Sequence, residues 1–493
     1  MTSTLAMLGV ITALARTLGR PEFGAYGLLV SFSTYLLIAQ GSVESAAIKH
    51  IAEAVERIDL DRAMTTTVCL YVLFGAVAAS FVAGIGILLI PVVGIPDALV
   101  SESRDGLLAL GVVTFLGWPT KAFQDLLRGT QFFVAAAVSE VAAWLVFAAL
   151  FATLLIFDAP FWMLVALGGA PPLMVGCAAG VAVAVLRAPF APRLHLLSRS
   201  AVRDFLGISG FVLISSAADL VVTSLDRLVI GAFRSASVVA LYEGPVRAHN
   251  VVRQVQGVLA LTVLPAASGF IARDDRQRLR DLLLRGTRYQ AILGIPMIVV
   301  FMTLAGPLLS AWLGDEYRAG ATALTILVSY WLFQVNANVA SAMLLAAGGA
   351  KKLAVYSWVV ALSNLGLSLA LAPSLGLDGV VLGTAIPSAV AFPFLLRMVL
   401  HAFPEVTLRD FAREVWIPAY STGAVLAAAL LALRAATSLH GLIPVLAAAG
   451  TGVIGYWLVI YTVWLRPNER VLARDLVRTA ASRVPRPGRA ANG

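Results

Sequence analysis

Unbroken apolar runs of about 20 residues, rich in Ala, Leu and Val, recur along the chain, for example over 67–94, 141–157 and 441–465. A helix of about 20 residues rises about 30 Å and satisfies its own backbone hydrogen bonds, so runs of this kind cross a bilayer as helices. Transmembrane strands would instead alternate apolar and polar residues over about ten positions. The composition agrees with helices in lipid. Only 13% of the 493 residues are charged and 60% are hydrophobic, with a mean hydropathy of +0.89. A cytosolic domain of this length needs a charged surface that this chain cannot supply. The sequence therefore specifies an all-α polytopic membrane protein.

Counting the runs predicts about 14 transmembrane helices, near 1–16, 25–45, 67–94, 105–127, 133–157, 161–186, 204–225, 236–262, 288–312, 321–347, 353–373, 377–401, 416–435 and 441–465. No connecting loop is long enough for a separate soluble domain. The net charge of +9 does not point to nucleic acid, because the basic residues lie between apolar runs rather than in one patch. Placing the N-terminus in the cytoplasm puts 27 of the 36 Lys and Arg on the cytoplasmic side, which orients both termini inside. The first run is short: Leu5 to Ala15 reads either as a first helix lacking part of its start or as a cleaved signal peptide. No basic residue precedes Arg16 to form the n-region of a signal, which favours the helix.

An internal similarity organises the spans. LGRPEFGAYG (18–27) follows the first span and SASVVALYEG (235–244) follows the seventh, each read as an outside loop that ends in an aromatic residue and a glycine opening the next helix. Six helices separate the copies, which predicts a parallel repeat about an axis along the membrane normal, with a binding site between the halves. The expected divisions are a six-helix lobe over 1–203, a second over 204–401, two additional helices over 402–465 and a basic cytoplasmic tail over 466–493.

Catalytic signatures are absent: the chain has no HExxH, no Walker A loop and no GxSxG. The five histidines are scattered, the two cysteines sit singly in apolar runs, and no metal or cofactor site is expected. Charge inside the spans is informative, because burying it in lipid costs a few kcal/mol even on lenient scales. In the eighth span Glu243, Arg247, Asn250 and Gln254 recur at helical spacing, with Tyr242, His249, Arg253 and Gln256 on the neighbouring stripe. One reading is an intramolecular Glu243–Arg247 pair with snorkelling ends. The other is a wet cavity whose arginines meet an anionic head group. Asp219 and Asp226 share a face of the seventh span with Ser215, and Arg227 lies at its outer end. Lys121, Asp125 and Arg128 share a face at the inner end of the fourth, as snorkelling anchors or as a cavity mouth, and Gln40 and Glu44 stack late in the second. The tryptophans, Trp118 and Trp144 among them, read as an interfacial belt.

These segments resemble the polysaccharide-transporter branch of the multidrug/oligosaccharidyl-lipid/polysaccharide exporter superfamily, the flippases of O-antigen and capsule repeat units. The resemblance is carried by LARTLGRPEFGAYGLLVS (14–31), SVESAAIKHIAEA (42–54), LRGTQ (127–131), LDRLVIGAF (225–233), VALYEGPVR (239–247) and LPAASGFIAR (264–273). It continues through WLGDEYRAGATAL (312–324), LLAAGGAKK (344–352) and PSLGLDGVVLGTAI (373–386), and covers roughly residues 10–400 by order and spacing rather than by one motif. It implies two lobes around a central cavity, no catalysis, and a polyprenyl-diphosphate-linked oligosaccharide flipped across the bacterial inner membrane. It implies membrane lipids and polysaccharide assembly proteins as partners, and an H+ or Na+ coupling ion. On this resemblance Arg247 and Arg253 bind the diphosphate, and Lys49, Lys121 and Arg128 gather the head group at the cytoplasmic mouth. Asn250 and Gln254 face the cavity, while Glu44, Asp219 and Glu243 couple an ion or balance the cations. A lipid-linked peptidoglycan-precursor flippase or a drug/cation antiporter of the same superfamily is the alternative, and a membrane polymerase or glycosyltransferase would need a long outside loop or an acidic metal motif that the chain lacks.

Overall fold

A computed structural model describes residues 2–57, 59–186 and 225–471, together with Arg193, Leu196, Leu197, Val202, Arg203 and Phe205. No strand occurs among the described residues. The helices are α1 (Thr2–Thr17), α2 (Arg20–Arg57), α3 (Leu60–Leu89), α4 (Asp97–Gly129), α5 (Phe133–Ile156), α6 (Phe161–Gly168), α7 (Pro171–Val185) and α8 (Asp226–Phe233). They continue as α9 (Ala236–Ala272), α10 (Arg276–Thr303), α11 (Ala305–Leu313), α12 (Asp315–Ala346), α13 (Ala350–Leu375), α14 (Leu377–Ala402), α15 (Leu408–Ala436) and α16 (Leu442–Trp464).

Among the described residues, nine of these are long and apolar enough to cross a membrane, or eleven when the bent pairs α6–α7 (58°) and α10–α11 (76°) each count as one span. Three expected spans are not among these. Helix α1 has 16 residues, about 24 Å at 1.5 Å per residue. Helix α2 has 38 residues, long enough to contain the expected span 25–45, and it carries Glu44, Lys49 and Glu53 toward its end. Of the run 204–225, only Phe205 and Leu225 are among the described residues. The outward faces of the long helices are apolar, with Val134 and Phe157 each 78% exposed and Ile443 82% exposed, which is stable in lipid and not in water.

Two helix starts correct the sequence reading. LGRPEFGAYG is not a loop: α2 begins at Arg20, with Pro21 in its first turn where a missing N–H costs nothing, and only Leu18 and Gly19 break the chain. Helix α9 begins at Ala236, as the expected span does, so the second copy is not a loop either, and it runs on to Ala272, well past the expected end at 262. Gly376, at φ +60°, supplies the left-handed turn between α13 and α14 that a side chain would strain.

The seam of the molecule is α2 against α9, and α9 also packs on α10 and α12. On the other side α4 packs on α2, α3, α6 and α7. Gly24 makes the seam possible, since a Cβ there would stand 1.7 Å from the Ala236 carbonyl oxygen. Near the same end, Arg16 donates to the Trp312 carbonyl at 3.1 Å and the Ala311 carbonyl at 3.2 Å, so a cation sits on the unpaired carbonyls at the C-terminus of α11. The Trp312 indole N–H donates to Thr12 Oγ1 at 2.6 Å, and the Tyr317 ring stands edge-on to Phe23. These contacts join α1 and α2 to α9, α11 and α12 at one end of the bundle.

Candidate functional site

Beyond that closed end lies a cavity of about 500 Å³. Its walls come from the start of α1, the middle of α2, the later turns of α4, and parts of α5, α7 and α9. The charged residues on the wall are Glu44, Lys121, Arg128, Glu140 and Arg247. Each reaches the cavity because its helix turns a polar stripe inward. Lys121 and Arg128 stand two turns apart on α4, and Arg247, Asn250 and Gln254 recur along α9 at the predicted spacing.

At the α2–α4 wall the charges form a continuous network. Lys121 Nζ donates to Gln124 Oε1 at 2.7 Å and Asp125 Oδ1 at 3.2 Å, and pairs with Glu44 Oε1 at 3.0 Å. Arg128 bonds the same Glu44 oxygen and reaches Glu140 Oε2 at 3.4 Å. Asp125 is fully buried behind the wall, where the Tyr71 hydroxyl donates to it. An ammonium in a membrane interior is tolerated only when its donors are met by acceptors, and here Lys121 meets three.

The α9 wall is built differently. Glu243 is fully buried and accepts from Arg227 Nε at 2.6 Å, Arg227 Nη2 at 3.3 Å and Arg247 Nη2 at 3.4 Å. It lies against Gly27, where a Cβ would stand 2.5 Å from Glu243 Oε1. The two sequence readings of this face both describe part of it: the Glu243–Arg247 pair exists, and Arg247, Asn250 and Gln254 also line the cavity. Arg247 Nε, Ser33 Oγ and Gln40 Nε2 are buried polar atoms of wall residues with no hydrogen-bond partner in the protein, which leaves them available to a polar ligand. Behind this wall the Tyr242 hydroxyl donates to Asp226 at 2.6 Å.

Of the residues singled out from sequence, Lys121, Arg128, Arg247, Asn250, Gln254 and Glu44 come together around the cavity, with Glu243 directly behind Arg247. Arg253, one helical stripe away, stands off the wall, as does Lys49, which pairs with Glu53 at 3.8 Å on a half-exposed face. Asp219 lies outside the described residues. Trp118 and Trp144 are wall residues rather than belt residues. Sequence reasoning missed Glu140, a lone carboxylate in an apolar run that the rule for charge within spans would have found. It also missed Tyr71 and the Arg227–Glu243 pairing, which have no local signature. Among the described residues no group of acidic, His or Cys side chains could hold a metal ion.

The cavity is thus lined by three cations and two carboxylates, in a chain whose helices are long and apolar enough to cross a membrane. Comparison with known proteins gives it a family. Residues 1–270 match the profile described as polysaccharide biosynthesis protein. The chain belongs to that family. The probable low-salt glycan biosynthesis flippase Agl15 of Haloferax volcanii is 22% identical over 282 residues, 56% of this chain and 57% of the relative, so the chain spans little more than half that relative's length. Among solved structures, the lipid II flippase MurJ in its inward closed conformation superposes with a TM-score of 0.71 at 14% identity, covering 97% of this chain and 98% of that one. An inward-facing multidrug resistance MATE family transporter of the MOP superfamily gives 0.66 at 16% identity, covering 82% and 96%. At these identities the likeness is one of fold: this multi-pass membrane protein has the fold of the MOP exporter superfamily.

Proposed function

We propose that the chain is a flippase that moves a polyprenyl-diphosphate-linked oligosaccharide repeat unit from the cytoplasmic to the outer leaflet of the bacterial inner membrane, for surface polysaccharide synthesis. The observation that carries the reading is the convergence of Lys121, Arg128 and Arg247 on one membrane-embedded cavity in a polysaccharide biosynthesis protein. A diphosphate brings negative charge and several acceptor oxygens, and it needs cationic donors wherever water is scarce. The partnerless atoms of Ser33, Gln40 and Arg247 offer hydrogen bonds to phosphate or sugar hydroxyls.

On this reading residues 1–203 and 204–401 form the two lobes, 402–465 the two additional helices and 466–493 a cytoplasmic tail. The lobes rock about the cavity by alternating access. Closure at the Arg16–α11 end supports entry from the opposite, cytoplasmic end. A drug/cation antiporter would want an acidic cavity without paired arginines, whereas Arg128 and Arg247 here each pair with a carboxylate at or behind the wall. A lipid-linked peptidoglycan precursor shares the diphosphate, and the full-length likeness to a lipid II flippase keeps it as the second reading.

The test is Arg247→Ala alone and Lys121→Ala with Arg128→Ala, expressed in a strain lacking the protein. Export of the surface polysaccharide is expected to fall to background while membrane insertion is retained. Wild-type export by both variants would sink the proposal. The sugars of any intermediate that accumulates distinguish a surface repeat unit from a peptidoglycan precursor.

A further inference from the structure

We propose that Glu44 is an internal anion that holds Lys121 and Arg128 until a substrate phosphate displaces it, and that this exchange sets how readily the head group is released. The inference rests on the phosphate-bearing substrate proposed above, and it assigns Glu44 a role beyond balancing charge.

The geometry distinguishes Glu44 from the other carboxylates. One of its oxygens takes both cations, Lys121 at 3.0 Å and Arg128 more closely still. Its side chain is 20% exposed and lies on the cavity wall, so an incoming anion reaches the position it occupies. Asp125 is fully buried under Tyr71 and cannot leave. Glu243, equally buried and bonded to Nε and Nη2 of the Arg227 guanidinium, is fixed in the same way. Glu140, the other carboxylate on the wall, touches Arg128 alone at 3.4 Å, so the cavity has a fixed counterion on α9 and, on α2, a displaceable one that two cations share.

Each cation also keeps a carboxylate when Glu44 moves away. Lys121 retains Asp125 at 3.2 Å and Arg128 retains Glu140 at 3.4 Å. Exchange thus leaves neither cation alone in the membrane interior, a state that would cost several kcal/mol. A phosphate binding here gains charge-assisted hydrogen bonds but breaks those to Glu44, so its net affinity is a difference. That difference suits a carrier, since a site that binds anions with full strength would not let them go.

The experiment uses the full-length protein in detergent and titrates farnesyl diphosphate and, separately, inorganic pyrophosphate by calorimetry. Glu44→Gln is expected to tighten diphosphate binding about tenfold, the factor that corresponds to losing roughly 1.4 kcal/mol of competing ion pairing. Release should slow and export in cells should fall. Glu44→Asp, which keeps the charge, should behave as wild type, and Arg128→Ala should weaken binding. Should Glu44→Gln fail to purify, Glu44→Leu removes the charge at similar volume and carries the same expectation. Unchanged or weaker binding by a folded, uncharged Glu44 variant overturns the exchange alone, provided wild type binds and Arg128→Ala does not. No diphosphate binding by wild type overturns both the exchange and the substrate reading. Equal tightening for both probes places the exchange at the phosphates, and tightening for farnesyl diphosphate only places it at a lipid-linked head group.

Discussion

Glu243 sits buried between two guanidinium groups, so removing the acid and removing a base have unequal consequences. Glu243→Gln leaves Arg227 and Arg247 facing each other without a counterion, a change that typically costs about 3 to 5 kcal/mol. Arg247→Ala leaves Glu243 still held by Arg227 at 2.6 Å, so stability should change much less. Thermal unfolding of the purified protein should show a large fall in Tm for the first variant and a small one for the second, although both lose export. Arg247→Lys should restore export only in part, because an ammonium cannot reproduce planar, forked contacts to phosphate; full restoration would reduce the role to simple charge. The stripe through Glu243, Arg247, Asn250 and Gln254 was legible because helical spacing is written in the sequence. The Arg227 partner was not, because a contact between α8 and α9 depends on how two helices cross.

Among the elements, the α2–α9 seam depends on Gly24. Gly24→Val places side-chain atoms where the Ala236 carbonyl stands and should force the helices apart. A disulfide between cysteines introduced at Thr12 and Trp312, neighbours across the same end, should then form in lower yield than in the parent background; an equal yield would mean the seam tolerates the side chain. At the other end of the bundle, the turn after α16 is held by Glu469, which accepts from the Arg466 backbone N–H at 2.8 Å and the Tyr289 hydroxyl at 2.8 Å and lies 3.6 Å from Arg288. Burial pushes the Glu469 carboxyl up, but these donors and the nearby cations more than offset it and hold the group below its ordinary value of 4.5. A carboxylate depressed in this way stabilises the fold above its unfolded value, and the contribution is lost as pH falls through the folded one. Hydrogen-exchange protection at 466–471, corrected for the intrinsic exchange rate at each pH, should therefore fall as the pH drops below the ordinary carboxyl value of 4.5, and Glu469→Gln should remove that dependence. Helix existence was legible in the apolar runs. Helix starts were legible unevenly: the start at Ala236 agrees with the expected span, whereas the polar residues after Gly19 read as a loop, yet packing along the seam keeps Arg20 to Gly24 helical.

At the scale of the whole molecule, an apolar outer surface and a cavity whose cations are held by displaceable and fixed carboxylates fit the proposed carrier of an amphiphile with an anionic head. The two-copy pattern at 18–27 and 235–244 pointed to the seam, since the second residue run packs directly on the first. It could not reveal which cations share a cavity, because Arg253 differs from Arg247 only by one helical stripe. The decisive measurement is mass spectrometry of lipid extracts from a strain lacking the protein, complemented with wild type or with Arg247→Ala. The account predicts that a polyprenyl-diphosphate oligosaccharide accumulates without the protein and with the variant, and disappears with wild type. Absence of any such lipid in the deletion strain, with raised sensitivity to cationic dyes instead, would contradict it.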